Sequence, residues 1–169
     1  MRAQTAIATV LVMAALTTTA AAGTEIPPAS FKLGLGKTQA GDHVDQLTDN
    51  DDDNLVLRTD KVNGTYKTSF VATYLSVPGA PGAFQIHARA GAKGLCLAPM
   101  KLYDWTKHRY VGVDEIGVTG PEADFVVPNA GGYDRATYVK DGKLKLKFLC
   151  KNDANFVLVI DQLRIAPTA

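Results

Sequence analysis

The sequence predicts an all-β protein built as an antiparallel sandwich of two sheets. Apolar and polar residues alternate with period two in short runs along most of the chain, as they do in half-buried strands. Turn residues separate these runs at the spacing of a sandwich, and no window shows a sustained helical period. A second sheet is expected because strands this apolar need a cover for their hydrophobic faces.

The two most strongly patterned runs lie near the C-terminal end. In residues 143–150, lysines alternate with Leu144, Leu146 and Phe148, which predicts a strand with one apolar face and one cationic face. Residues 156–165 are apolar on both faces and rich in β-branched side chains, which predicts a central strand. A polar turn joins the two runs, so we expect them to form an antiparallel hairpin.

The earlier strands follow from the same pattern. In chain order they are predicted at 31–35, 55–58, 66–75, 83–90, 95–105, 109–113 and 122–128. Asn63-Gly64 is a turn dipeptide, 106–108 is a polar turn, and 129–135 is expected to be a loop. We find no internal repeat, so residues 31–169 are expected to form one β-sandwich domain.

The N-terminus has the pattern of a secretory signal peptide. Arg2 precedes an apolar segment at 6–16, and small residues at 20–22 supply a cleavage site. We therefore expect a signal peptide over 1–22, a linker over 23–30, and a secreted protein, extracellular or at the cell surface. The alternative is a transmembrane anchor, which the short apolar segment disfavours. No membrane span is expected in the remainder.

The charge balance limits the class of partner. Lys and Arg number 18 against 17 Asp and Glu, and loss of Arg2 with the leader leaves the remainder formally neutral. A nucleic-acid binder that relies on bulk charge is therefore not expected.

The two cysteines, Cys96 and Cys150, both fall in strand-like runs. In an exported chain the simplest interpretation is one disulfide between them. A metal site would need further ligands at suitable spacing, and neither cysteine has a histidine nearby in a zinc-like pattern.

Three pieces of the chain carry a resemblance to a known family. They are the acidic loop at 47–52 before a short strand, the cysteine strand that runs into 102–106, and the closing segment at 138–165. With these pieces the chain resembles the jelly-roll β-sandwich modules of the galactose-binding-like type, which include many carbohydrate-binding modules of secreted bacterial glycosidases. The likeness covers about residues 31–165. It implies a non-catalytic module that binds glycan or holds a surface assembly together.

The acidic loop is a candidate calcium site. Asp49, Asp51 and Asp52 supply oxygen ligands at the density that Ca²⁺ requires. In the resembling modules a structural calcium is often held between such a loop and an aspartate of the last strand, which corresponds to Asp161. A carboxylate in so apolar a strand is costly unless it is paired or metal-bound. The alternative is that Asp161 faces solvent or pairs with Arg164, and that the loop is only solvated.

Aromatic side chains around one hairpin form a candidate glycan site, because amphipathic rings are over-used at binding sites. These residues, with the neighbouring histidine, are Tyr103, Trp105, His108 and Tyr110. The alternative is that Trp105, the single tryptophan, closes one end of the core. A second candidate patch contains Tyr133 and Arg135, which with Asp134 and Tyr138 offer groups that hold sugar hydroxyls.

Lys143, Lys145 and Lys147 form a stripe that Arg89 or Lys101 would extend. Such a stripe fits an anionic glycan, protection of a sheet edge, or a plain solvated face, and we favour the last two over a glycan site.

Catalytic motifs are absent from the sequence. The carboxylate pairs Asp114-Glu115 and Glu122-Asp124 have the residue types of a glycosidase, but a chain this short leaves little room for a deep cleft. We therefore expect a secreted non-catalytic module that binds glycan or mediates surface adhesion. The alternatives are a structural subunit that has no small-molecule ligand and associates with its own copies or with a host protein, and a small polysaccharide-degrading enzyme.

Overall fold

The structure is a computed structural model that describes residues 24–40, 44–48 and 54–168. The predicted signal peptide at 1–22 and the candidate calcium ligands Asp49, Asp51 and Asp52 lie outside the described residues. In chain order the elements are β1 (Ser30–Leu35), β2 (Lys37–Ala40), a 3-10 helix (Val44–Leu47), β3 (Leu55–Arg58), β4 (Asp60–Val62), β5 (Thr65–Tyr74), β6 (Ala83–Asp104), β7 (Arg109–Val127), β8 (Tyr133–Asp134), α1 (Arg135–Tyr138), β9 (Leu144–Asn152) and β10 (Val157–Thr168). The all-β prediction is confirmed. None of the helices formed by the described residues is long and apolar enough to cross a bilayer.

The strands form two layers that share one long strand. All pairings are antiparallel, and the hydrogen-bonded path runs β1-β5-β9-β6-β10-β3-β2. Residues 83–93 of β6 pair with β10, whereas residues 97–102 of β6 pair with β9. The path therefore folds over at the middle of β6. The front sheet contains β1, β4, β5, β9, the second part of β6 and residues 109–118 of β7. The back sheet contains β2, β3, β8, β10, the first part of β6 and residues 120–127 of β7.

Glycines allow β6 to pass from one sheet to the other. A Cβ atom at Gly91 would lie 2.8 Å from the backbone nitrogen of Glu122 and 2.9 Å from the carbonyl oxygen of Gly120, so β6 and β7 approach too closely there for any side chain. Gly94 has φ +98, a conformation that favours glycine. The register of β6 against β7 shifts on both sides of Ala92, which is typical of a β-bulge.

In two places, two separately predicted strands form one continuous strand. The runs predicted at 83–90 and 95–105 both belong to β6, and those at 109–113 and 122–128 both belong to β7. The prediction separated them because glycine-rich segments interrupt the period-two pattern. The backbone nevertheless continues its pairing through the bulges.

The predicted C-terminal hairpin is wrong, although both of its strands exist. β9 pairs with β5 and β6, and β10 pairs with β3 and β6. The connection between them ends at the buried residue Phe156 and carries the chain from the front sheet to the back sheet. The two apolar strands therefore face each other across the core, which buries both without direct pairing.

The core lies between these two strands and their neighbours. Buried side chains of β9 and β10 belong to one hydrophobic cluster, namely Leu144, Leu146, Phe148, Leu158, Ile160, Leu163 and Ile165. The ring of Phe148 stacks on that of Phe70, with centroids 5.4 Å apart. Cys96 of β6 and Cys150 of β9 form a disulfide, as predicted, with Cα atoms 5.4 Å apart and both residues buried.

The described part of the predicted linker contacts the sandwich. Ile26 exchanges two backbone hydrogen bonds with Ile165, at 2.8 and 2.9 Å. The carboxylate of Glu25 lies 3.0 Å from Nη1 of Arg164 and 2.6 Å from Nδ1 of His87. These contacts fix the segment before β1 against β10 and β6.

Candidate functional site

Three aromatic side chains form a contiguous patch on the outer surface of the front sheet. The rings of Tyr103 and Trp105 are 4.9 Å apart, those of Tyr103 and Tyr110 are 5.2 Å apart, and both contacts are edge-to-face. Tyr103 near the end of β6 and Trp105 directly after it alternate with the buried residues Leu102 and Asp104, so they point away from the core. None of the three belongs to the core cluster or to the partly buried side chains that pack on it. Trp105 is therefore not a member of the core cluster.

The turn between β6 and β7 holds this aromatic patch in place. Asp104 is buried and accepts hydrogen bonds from the backbone nitrogens of Thr106, at 3.0 Å, and Lys107, at 2.8 Å. The Nζ atom of Lys107 lies 2.9 Å from the same carboxylate. Hydrogen bonds from the backbone and side chain of Lys107 lower the pKa of Asp104. The indole nitrogen of Trp105 donates to the carbonyl oxygen of Tyr138 at 3.0 Å, which fixes the tryptophan ring against α1.

Two lysines of β9 lie over the rings. The Nζ atom of Lys145 is 5.3 Å from the ring centroid of Tyr103 and 5.5 Å from that of Trp105. The Nζ atom of Lys147 is 5.9 Å from the ring centroid of Tyr110. These distances are within the range of cation–π attraction. Burial of the Tyr110 hydroxyl, and then the charge of Tyr103, raise the pKa of Tyr110.

A groove of about 280 Å³ adjoins the aromatic patch on the same surface. It is lined by Ser30, Phe31, Lys32, Val71, Thr73, Tyr110 and Lys145. Hydroxyl and ammonium groups thus stand next to an aromatic ring. A few polar groups beside an apolar surface are what fix the orientation of a ligand in a binding site.

Of the other predicted ligand-binding residues, His108 is exposed in the turn next to the patch, with φ 52. Tyr133 is half-buried, with its ring 5.6 Å from that of Phe84 and its hydroxyl 3.4 Å from Oδ2 of Asp114. Burial, and then the Asp114 carboxylate, raise the pKa of Tyr133. Tyr133 therefore packs on the back sheet rather than within the aromatic patch.

Arg135 is buried, and backbone carbonyls occupy its guanidinium. Nε donates to the carbonyl oxygen of Ala83 at 2.8 Å and Nη1 to that of Gly79 at 3.4 Å, while Nη2 donates to the carbonyl oxygen of Thr168. This residue joins three distant segments of the chain. In that position its donors are used within the protein, so we leave Arg135 out of the site.

Asp161 is buried and pairs with Arg89 of the back sheet. Its Oδ2 atom lies 3.2 Å from Nε of Arg89, which also lies 3.7 Å from Glu122, while Nη1 of Arg89 lies 3.4 Å from Asp124. Asp161 therefore does not face solvent. Arg89 is part of this back-sheet cluster, so the suggestion that it extends the lysine stripe is wrong. Among the described residues, no group of three or more His, Cys, Asp or Glu side chains is arranged to hold a metal ion.

Two other clefts lack a cluster of aromatic rings. A cleft of about 520 Å³ at the bend of β6 is lined by Gly91, Gly94, Gly120 and Pro121, among others. Another of about 320 Å³ includes Asp114, Glu115 and Asp124. Asp114 accepts a hydrogen bond from the hydroxyl of Tyr133, and Asp124 forms an ion pair with Arg89, so both of these carboxylates have partners. We place the candidate site at the aromatic patch because its chemistry, and not its volume, suits a sugar.

Comparison with known proteins identifies structural neighbours only. No protein-family model and no curated protein matches the sequence. Among solved structures, the chain is similar to a family 61 carbohydrate-binding module in complex with β-1,4-galactotriose. The TM-score is 0.53 and the identity 12%, over 82% of this chain and 89% of that chain.

Two further neighbours are domains of larger proteins. An exo-β-agarase matches with a TM-score of 0.55 and 12% identity, over 84% of this chain and 23% of that chain. The tailspike protein 4 of bacteriophage CBA120 matches with a TM-score of 0.52 and 15% identity, over 82% of this chain and 19% of that chain. The chain thus spans less than a quarter of either. The shared feature is the fold, and the chain has the antiparallel two-sheet β-sandwich fold of carbohydrate-binding modules.

Proposed function

We propose that this protein is an exported, non-catalytic module that binds glycan chains on the outer surface of its front sheet. One observation carries the proposal: Tyr103, Trp105 and Tyr110 form a contiguous, half-buried patch that is not part of the core cluster. The fold is consistent with this role but does not specify it, because one fold serves many functions.

The geometry suits the chemistry of sugars. A pyranose ring presents C–H groups on its faces and hydroxyls around its rim, so it meets an aromatic side chain and polar groups at once. Here the aromatic patch supplies the rings, and Ser30 and Thr73 of the adjoining groove supply hydroxyls that donate or accept. The hydrogen bond from Trp105 to Tyr138 fixes the indole in advance, which reduces the entropy lost on binding.

A structural subunit is the weaker alternative. Among the described residues the large exposed apolar side chains are Leu75, Leu95, Leu97 and Val126. They lie on the connection after β5, on β6 and on β7, so they do not build the wide apolar surface that a stable assembly buries.

Binding to a glycan array by the wild type and by Trp105→Ala and Tyr110→Ala tests the proposal. Each substitution is expected to weaken binding at least about tenfold, since stacked rings act as hot spots. Tyr66→Ala is the control, because Tyr66 also carries a lysine over its ring, with Nζ of Lys61 5.4 Å from the centroid, but lies outside the patch. Since Tyr66 packs on the core, binding is compared at a temperature at which every variant is folded. If the folded wild type binds no glycan of a broad neutral and acidic array, the structural alternative replaces this proposal.

We also propose that calcium stabilises the fold through the acidic loop. The loop ends at Asn54, whose Nδ2 donates to Glu122 at 3.2 Å and whose buried Oδ1 has no hydrogen-bond partner among the described atoms. That oxygen is a ligand of the type that Ca²⁺ takes, and Glu122 belongs to the cluster around Arg89 that also holds Asp161. The remaining ligands would be Asp49, Asp51 and Asp52.

The melting temperature with and without a calcium chelator tests this second proposal. A chelator should lower the melting temperature of the wild type, and Asp51→Asn/Asp52→Asn should remove the difference. The loop residues are the better choice for substitution, because Asp161 is buried against Arg89 and its replacement would destabilise the protein with or without a metal. Equal melting temperatures in calcium and in chelator would show that calcium does not stabilise the protein.

A further inference from the structure

Six lysines lie on the outer surface of the front sheet, and together they form the lysine face. They are Lys32 of β1, Lys67 of β5, Lys101 of β6, and Lys145, Lys147 and Lys151 of β9. The register aligns them across the sheet: Lys147 is opposite Lys101 on one side and Val71 on the other, and Val71 is opposite Lys32. Lys145 and Lys147 lie over the rings of the aromatic patch, and Lys32 and Lys145 line the groove beside it.

These lysines are not neutralised by the protein. None of them forms an ion pair with a carboxylate in the described part of the chain, whose ion pairs lie mainly around Arg89, Arg164 and His87 on the back sheet. The described carboxylates that share the front surface are Asp60 of β4, which lies directly opposite Lys67, and Glu115 of β7, which lies opposite Pro99. Asp60 accepts a hydrogen bond from the backbone nitrogen of Gly36 at 3.0 Å.

The arrangement costs stability. Lys101 lies directly opposite Lys147, and Lys67 lies directly opposite Lys151. Like charges opposite each other on one face of a sheet repel. A near-neutral chain that places its cations in this way has a polarised surface, with one strongly positive side.

Protection of a sheet edge does not explain the lysine face. Three of its lysines are on β9, which pairs with β5 on one side and with β6 on the other. Lysines protect a sheet from unwanted pairing only on an edge strand, where backbone groups are free. The edge-protection interpretation of the stripe is therefore wrong.

The ammonium groups also determine what a ligand meets at the rings. Lys145 lies over Tyr103 and Trp105, and Lys147 lies over Tyr110, at 5.3 to 5.9 Å. A neutral sugar that stacks on these faces has to displace a cation that the rings attract. A sugar with an acidic substituent pairs with the same cation instead, so contact with the ring and contact with the charge reinforce each other.

From these observations we propose that the ligand of the front surface is an anionic polysaccharide, a chain that carries carboxylate or sulfate groups. This inference rests on the proposed glycan-binding function and specifies its ligand class. Lysine suits such a ligand because its ammonium acts as a point charge that meets either kind of oxyanion.

Binding of the purified protein to matched pairs of polymers tests the inference. The pairs are pectin of low and high methyl ester content, which differ in free carboxylates, and dextran sulfate and dextran, which differ in sulfate. Neutral β-1,4-galactan, a single-stranded DNA oligonucleotide and phosphatidylserine vesicles complete the panel.

The variants are Lys101→Gln/Lys145→Gln/Lys147→Gln, the same three positions changed to arginine, and Lys37→Gln/Lys93→Gln/Lys140→Gln. The last variant loses the same charge from exposed lysines that lie outside the lysine face.

The expected result is binding to low-ester pectin or dextran sulfate that greatly exceeds binding to the uncharged counterpart. The glutamine variant of the lysine face should bind at least about tenfold more weakly, which is about 1.4 kcal/mol. The arginine variant and the control variant should retain binding, and added salt should weaken it in the wild type. The preferred polymer identifies carboxylate or sulfate as the anion.

Four results would overturn the inference. Binding to neutral polymers alone, unaffected by the glutamine changes, leaves the glycan-binding function intact but refutes an anionic ligand. Equal loss in the control variant would assign binding to net charge and not to the lysine face. Preference for the oligonucleotide or the vesicles would assign the lysine face to another class of partner. Absence of binding to every glycan, charged or neutral, refutes the proposed function itself.

Discussion

Removal of the disulfide should destabilise the sandwich by an amount that depends on the length of the loop that the disulfide closes. Cys96 and Cys150 are 54 residues apart, and closing a loop of that length stabilises a protein by about 4 kcal/mol in the chain-entropy model. In a domain of this size, 1 kcal/mol changes the melting temperature by about 2–4 °C. Cys96→Ala/Cys150→Ala should therefore melt about 8–16 °C below the wild type, from the combined estimate.

Three samples separate the effect of loop closure on stability from the effect of core packing. Both cysteines are buried, so the alanine variant also loses sulfur contacts in the core. The wild type under a strong reductant keeps the sulfur atoms and loses only the bond. Urea unfolding of the oxidised wild type, the reduced wild type and the variant should give decreasing stability in that order. Oxidised and reduced wild type whose unfolding free energies agree to within about 1 kcal/mol would refute the loop-entropy reasoning.

Three further substitutions test other parts of the structure. Arg135→Met should lower the unfolding free energy in urea by about 3 kcal/mol, because it removes three hydrogen bonds from a buried guanidinium to backbone carbonyls. A change below about 0.5 kcal/mol would show that water replaces the guanidinium. Gly91→Ala should destabilise the protein by about 1–3 kcal/mol through the contact with β7. Its control is Gly117→Ala, since no atom lies within 4 Å of a Cβ there, and equal melting temperatures would contradict the close approach. Because hydrogen bonds from Lys107 lower the pKa of Asp104, its carboxylate stabilises the fold above its unfolded-state pKa, and this contribution is lost as the pH falls through the folded pKa. Asp104→Asn should therefore melt below the wild type at pH 7, with a difference that narrows on acidification; a constant difference from pH 7 to about pH 2 would argue against the lowered pKa.

The sequence predicted which faces of the strands are buried. Leu144, Leu146 and Phe148 are in the core and the lysines between them are outside, because period-two alternation reports burial directly. The turn at Asn63 and Gly64 is also confirmed, with φ 51 and 82, since both residues tolerate positive φ.

The same pattern could not predict which strands pair with each other. Alternation shows that a strand has an apolar face, but it does not show which strand lies beside it. Adjacency in the chain favoured a hairpin of β9 and β10, whereas burial of two very apolar strands is satisfied by placing them in opposite sheets. Likewise Gly91 and Gly94 indicated the end of a strand, because a bulge within a long strand has the same composition as a turn.

The candidate site was partly predictable. Tyr103, Trp105 and Tyr110 come from one hairpin, so their proximity follows from the local sequence. The position of Lys145 over two of the rings depends on the register of β9 against β6, which no local signal specifies. The burial of Arg135 was unpredictable for a similar reason, since its carbonyl partners come from distant segments.

The passage of β6 and β7 through both sheets has a mechanical consequence. The two strands stay hydrogen-bonded to each other from the Tyr103–Tyr110 pair at the tip of the front sheet to the Ile86–Val127 pair in the back sheet. The pair of strands β6 and β7 therefore connects the two sheets, in addition to the core between them. We therefore expect loosening of one layer to be transmitted to the other through the paired strands β6 and β7.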